Sequence, residues 1–152
     1  MAESPITNTV LTLLARLGIN AELEAGSLTR IHYGSAVVTL ETAENPATVA
    51  VRARVLAEVE IADSDSELRI LRALNSRNAR SRFGKFFLDR EAAEITLEYE
   101  ILGGFLQQEE LLNALQAVAQ TADDHDDLLI EELGTGRRAS DIGGRAEAAT
   151  AL

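Results

Sequence analysis

Apolar and polar positions recur along this chain with two different periods, and the changes of period divide it. In residues 4–18, SPITNTVLTLLARLG, the positions Ile6, Val10, Leu13, Leu14 and Leu17 return every three to four residues, the spacing that collects side chains on one face of an α-helix. Ser4 stands before Pro5 as a cap stands before a first helical turn, and Gly18 stops the run. From residue 19 to 61 the period falls to two. It predicts strands at 19–24, 28–33, 36–41 and 48–61, separated by Gly26, Gly34 and the Glu44-Asn45-Pro46 turn. In the last strand Val49, Val51, Ala53, Val55, Ala57, Val59 and Ile61 share one face, and Arg52, Arg54, Glu58 and Glu60 share the other, so this sheet is expected to have one wet side.

Helical spacing returns at 64–82. Ser64 followed three residues later by Glu67 has the pattern of a capping box, and Leu68, Leu71 and Leu74 form an apolar stripe that Ile70 widens. KFFLD then leads through a turn into EITLEYEIL, where Ile95, Leu97, Tyr99 and Ile101 alternate with Glu94, Thr96, Glu98 and Glu100. That pattern predicts an antiparallel hairpin with one solvated face. After GGF, residues 107–133 make a helix of roughly 40 Å at 1.5 Å per residue, ended by Gly134. Residues 135–152 are small, polar and Gly-containing, and are expected to be a disordered tail after a single domain at 1–134. The fold class that follows is α+β: a twisted antiparallel sheet with the first and last helices on its apolar face and the middle helix at an edge or interface. Val49, Val51, Val55, Val59, Ile95, Leu97, Tyr99 and Ile101 should then face Leu13, Leu14, Leu17, Leu111, Leu115 and Val118.

Composition narrows the function. At 152 residues with 46% hydrophobic and 26% charged content, the chain can bury a core of ordinary size. It has no cysteine, which removes disulfides, thiolate nucleophiles and Cys-based zinc sites. A net charge of −11 argues against broad binding to nucleic acid or an anionic membrane, both of which need a field of Lys and Arg. MAESPITN has no signal-peptide character and no apolar run approaches about 20 residues, so a soluble cytoplasmic protein is expected. The charge is unevenly spread. Arg69, Arg72, Arg77, Arg80, Arg82, Lys85 and Arg90 stand close together, whereas residues 91–133 hold twelve acids and no Lys or Arg. The first six are a candidate basic surface for an acidic partner, the alternative being a solvated face that neutralises the acidic helix and hairpin.

No catalytic constellation emerges, and neither catalysis nor a cofactor is expected. Asp123-Asp124-His125-Asp126-Asp127 contains metal-ligand chemistry, but on a helix only pairs such as Asp123 and Asp127 share a face. His125 continues the near-heptad Leu111, Leu115, Val118, Ala122, His125, Leu129. His32 has no nucleophile motif beside it. GTGRR, residues 134–138, lacks the preceding strand and the following Lys-Ser/Thr of a phosphate loop.

The residues 74–89, LNSRNARSRFGKFFLD, the strand AEITLEYEIL, the Gly103-Gly104 turn and the helix LLNALQAVAQTADDHDDLL resemble the YbjN-like family, whose fold is shared with the small dimeric chaperones of type III secretion. Asn75 and Asn78 stand where that family has its helix-end asparagines. The resemblance covers about residues 4–134 and implies a non-enzymatic, protein- or peptide-binding chaperone-like module, often a homodimer. Its candidate interface is Leu68, Ile70, Leu71 and Leu74, with an unidentified protein or peptide as client. Two alternatives are a regulatory module whose dimerisation is its function, and a divalent-metal-binding protein using the acidic terminal helix.

Overall fold

The computed structural model describes residues 3–24, 28–33 and 36–142. Among these, seven strands form one antiparallel sheet: β1 (Glu22–Leu23), β2 (Leu28–Tyr33), β3 (Ala36–Glu44), β4 (Ala47–Ala57), β5 (Lys85–Asp89), β6 (Glu94–Leu102) and β7 (Arg137–Arg138). The order is β1-β2-β3-β4-β6-β5, with β7 paired to β4 off this path. Pairing of Val38 with Ala53, Ala53 with Leu97 and Leu97 with Phe86 fixes one apolar row across four strands. The next row is polar: Arg30, Thr39, Arg52, Glu98 and Lys85 lie opposite one another in turn. On that side Arg52 pairs with both Glu41 and Glu98, and Arg54 reaches Glu94 at 2.9 Å. Burial alone would lower the Arg52 pKa, but the hydrogen bonds and negative charges of Glu98 and Glu41 outweigh it and raise it. The solvated face predicted from the alternation is therefore a ladder of exposed to half-buried charges.

Two helices cover the apolar face. α1 (Pro5–Arg16) is capped by the Ser4 side chain, which accepts from the Thr7 amide at 3.3 Å, and buries Ile6, Val10, Leu13 and Leu14. The Thr7 and Thr42 hydroxyls meet at 2.6 Å in the buried contact between α1 and β3. α3 (Gln108–Leu133) buries Leu111, Ala114, Leu115, Val118, Ala119, Ala122, Leu129 and Leu133 and ends at Gly134, whose left-handed backbone (φ 66°) suits glycine. It packs on β3, β4 and β6, while α2 (Ser64–Arg80) packs against the edge strand β5. Val49, Val51, Val55, Val59, Ile95, Leu97 and Ile101 join the core with these helices; Tyr99 and Leu17 are half-buried at its margin. The α+β architecture read from the sequence is the one observed.

Three local expectations are corrected. The long strand at 48–61 ends at Ala57, because a bulge between Arg54 and Leu56 breaks strict alternation and buries both Val55 and Leu56. Glu58 then turns the chain with φ 52°. The cap of α2 is Asp63 rather than Ser64: its carboxylate accepts from the Ser66 amide at 2.8 Å, and the Ser66 hydroxyl accepts from the Asp63 amide at 3.0 Å. Finally, part of the segment expected to be a disordered tail is ordered. Arg137 pairs with Ala57 and Arg138 with Leu56, and a 3-10 turn follows at Ala139–Asp141. Residues 143–152 of that expected tail lie outside the described residues.

Candidate functional site

At 100° per residue, Leu68 projects about 160° away from Ile70 around α2, and the packing follows from that. Ile70 and Leu74, each 2% exposed, point with Ala73 into the core, whereas Leu68 and Leu71 are 43% and 44% exposed. The four candidate interface residues thus divide into two pairs on different faces. Ile70 and Leu74 complete the fold of their own chain. Leu68 and Leu71 remain on the outward face, outside the core cluster and partly open to solvent.

The six basic candidates also divide. Arg69 donates to the Leu133 carbonyl at 2.6 Å, satisfying an end of α3 that has no internal partner. Arg77, its side chain largely buried, pairs with Glu132 at 2.7 Å and donates to the Ala73 carbonyl at 3.2 Å. Lys85 donates to the carbonyls of Asn78 and Ser81 at 2.9 and 3.1 Å, closing the C-terminus of α2. These three hold α2 to its neighbours. Among the described residues Arg80 hydrogen-bonds only to Ser76, at 3.3 Å, and the exposed Arg72 and Arg82 have no hydrogen bond or ion pair. Arg72, Arg80 and Arg82 are therefore the exposed members of the run with no carbonyl or carboxylate partner among the described residues, while Arg69 and Lys85 are exposed but tied to main-chain carbonyls.

Asn78 has a separate task. Its Nδ2 donates to the Phe86 carbonyl at 2.9 Å while its Oδ1 accepts from the Phe86 amide at 2.7 Å. One side-chain amide thereby reproduces the two hydrogen bonds a neighbouring strand would make to the free edge of β5. Phe86 turns inward against the His125 ring, with centroids 5.3 Å apart. Phe87 turns outward and is exposed, as is Phe83 in the turn before β5, where it meets Tyr99 edge-on. The alternation of KFFLD carries this signal, since two successive phenylalanines in a strand must face opposite ways. At the far end of the sheet Leu102 is 74% exposed and Phe105 95%.

The acidic helix does not gather a metal site: among the described residues no group of three His, Asp or Glu converges. His125 Nδ1 sits 2.9 Å from the Thr121 carbonyl. Partial burial pushes the Asp126 carboxyl up, helped by the negative charges of Asp127 and Asp123 and opposed by the Asp127 amide and Arg138. Arg138 reaches Asp127 at 3.7 Å from the segment that follows α3. No described helix is long and apolar enough to cross a membrane.

Residues 5–142 match the profile of the TY-Chap1 family, described as T3SS (YopN, CesT) and YbjN peptide-binding chaperone 1. Solved structures share the fold. The ExsC-ExsE complex contains a chain 20% identical, with a TM-score of 0.63 over 81% of this chain and 95% of that one. YbjN from E. coli is 15% identical, with a TM-score of 0.63 over 88% and 96%. The HopA1-SchA chaperone-effector complex contains a chain 10% identical, with a TM-score of 0.60 over 80% and 94%. No curated protein matches the chain by sequence.

Proposed function

This chain belongs to the T3SS and YbjN peptide-binding chaperone family, and on that footing we propose that it is a non-enzymatic chaperone-like adaptor, a cytoplasmic homodimer that holds a protein or peptide client. The observation that supports the dimer is the outward face of α2. The core of the chain is complete without Leu68 and Leu71, yet both stand on the helix beside the edge strand β5. A second copy brought to that face by a two-fold axis would cover all four leucines at once. Arg72, Arg80 and Arg82 then lie at the rim, where like charges remain solvated. Glu67 is already engaged by Arg90 at 2.9 Å within the chain, so it is not free to neutralise a partner's arginines.

Client binding is supported by the family, and in this chain by apolar groups left outside the core away from α2, Leu102 and Phe105 foremost. The test is affinity capture from the native cell, followed by mapping of the bound segment. A polypeptide recovered reproducibly and protected over a defined stretch is expected; recovery of none under any growth condition overturns the client, and a monomer at high micromolar concentration overturns the dimer.

A further inference from the structure

β4 outruns the strand beside it. The pairing of Val38 with Ala53 carries Ala36, where β3 begins, to the level of Val55, so among the described residues no β3 residue stands opposite Leu56 and Ala57. The segment after α3 takes that place. Arg138 pairs with Leu56 and Arg137 with Ala57, the Thr135 hydroxyl accepts from the Glu60 amide at 2.8 Å, and Arg137 reaches Glu58 at 3.3 Å. Arg138 lies between Asp127 and Asp141, at 3.7 and 3.2 Å. Gly136 makes the close approach: at φ +89° a side chain is strained there, and an added Cβ would stand 3.2 Å from Leu56 and 3.4 Å from Val59.

The segment is held lightly for something so well fitted. Its ladder is two residues long, its ion pairs are exposed to solvent and contribute little apiece, and no residue from 135 to 142 is fully buried. It sits on the sheet as a bound peptide would, with main-chain pairing for affinity and acidic side chains selecting its charge.

We propose that the end of β4 from Leu56 to Glu60, with Asp127 of α3 beside it, is a strand-addition site for an extended peptide that carries two consecutive basic residues after a glycine, and that residues 135–142 are its resident occupant. This deepens the peptide-binding reading, on which the identity of the natural partner rests. A tethered segment acts at high effective concentration, so an incoming peptide binds by displacing it, and the site stays closed to weak ligands.

The test uses the full chain with Arg137→Glu and Arg138→Glu, which sets the segment against Glu58 and Asp127. The probe is a labelled synthetic peptide of sequence TGRRASDI, residues 135–142, followed by fluorescence anisotropy. The variant should bind it at least about ten-fold more tightly than the wild type, which keeps its own segment in place, and added salt should weaken that binding. A peptide with Glu-Glu in place of Arg-Arg should bind neither chain. Gly136→Val loosens the same segment by backbone strain instead of charge, and must give the same gain, which guards against a charge variant that misfolds. Equal affinity for wild type and both variants, or no binding to either variant, overturns the site. Polypeptide capture by a chain that shows no gain for the probe leaves the chaperone reading standing without this site, and a gain without any capture does the reverse.

Discussion

Replacing Leu68 and Leu71 together by serine should dissociate the proposed dimer without unfolding the chain, and the structure sets the size of the effect. The exposed parts of the two side chains, 43% and 44%, amount to slightly less than one whole leucine. Full burial of a leucine is worth about 1.5–3 kcal/mol, so covering these parts contributes about 1.3–2.6 kcal/mol per protomer. A two-fold contact contains both protomers' patches, which doubles this to about 2.6–5 kcal/mol and weakens the dimer by a factor of roughly 10²–10⁴. Sedimentation velocity over a micromolar concentration series reads the shift, and urea unfolding of the dissociated chain should fall by at most about 3 kcal/mol, the share of the two side chains that the monomer itself covers. Substituting Ile70 and Leu74 by Glu would be the wrong experiment. Both are buried in their own chain, and a charge there unfolds the monomer. A wild-type dimer whose dissociation constant is unmoved by the double serine variant would refute the assignment of the interface to this face of α2.

Leu97→Ala, in the middle of β6 with no exposure, should cost about 2–5 kcal/mol by urea denaturation, while Glu98→Lys on the opposite face should cost less than about 1 kcal/mol; equal tolerance would mean that the register is wrong. Asn78→Ala leaves both Phe86 main-chain groups without their partner and should cost about 1–3 kcal/mol, with faster hydrogen exchange at the Phe86 amide. Asp126→Asn should stabilise the chain at neutral pH. The folded pKa of Asp126 is raised above its ordinary 3.8, so its charge is a cost once pH rises through the folded value; the gain should fade as pH is lowered and vanish below 3.8. A gain that persists in acid would place its origin elsewhere.

The parts of this fold that were legible in the sequence are those where one face is wet. β6 alternates because Glu94, Thr96, Glu98 and Glu100 meet solvent while their neighbours meet the helices, and α1 shows its stripe for the same reason. α2 misled for a physical cause. Its buried face contains Ala73, too small to mark a stripe, and the ion-paired Arg77, which does not look apolar, while its outward face carries two leucines. The strand-ending bulge in β4 falls where Val55, Leu56 and Ala57 interrupt the alternation, a break too short to outweigh the regular apolar face on either side of it. β7 consists of two arginines held by backbone pairing and charge, so hydrophobic periodicity is silent about it. The basic run was conspicuous, but the sequence could not separate arginines that hold helix ends from arginines that face water, because that difference depends on where α3 stops.

The amide of Asn78 on Phe86 has a consequence for how copies of this chain can meet. Successive residues of a strand send their main-chain groups to opposite sides, so β5 offers a newcomer only Gly84, Phe86 and Leu88. The Gly84 carbonyl already accepts from Ser81 at 2.9 Å and both groups of Phe86 are taken. A foreign strand docking there would find a template interrupted at its centre, with Lys85 and Asp89 at either end of the strand as further deterrents to stacking. The edge is silenced from within, by a side chain that the fold itself supplies. A member of a peptide-binding family thus guards this edge of its own sheet against growth by strand addition.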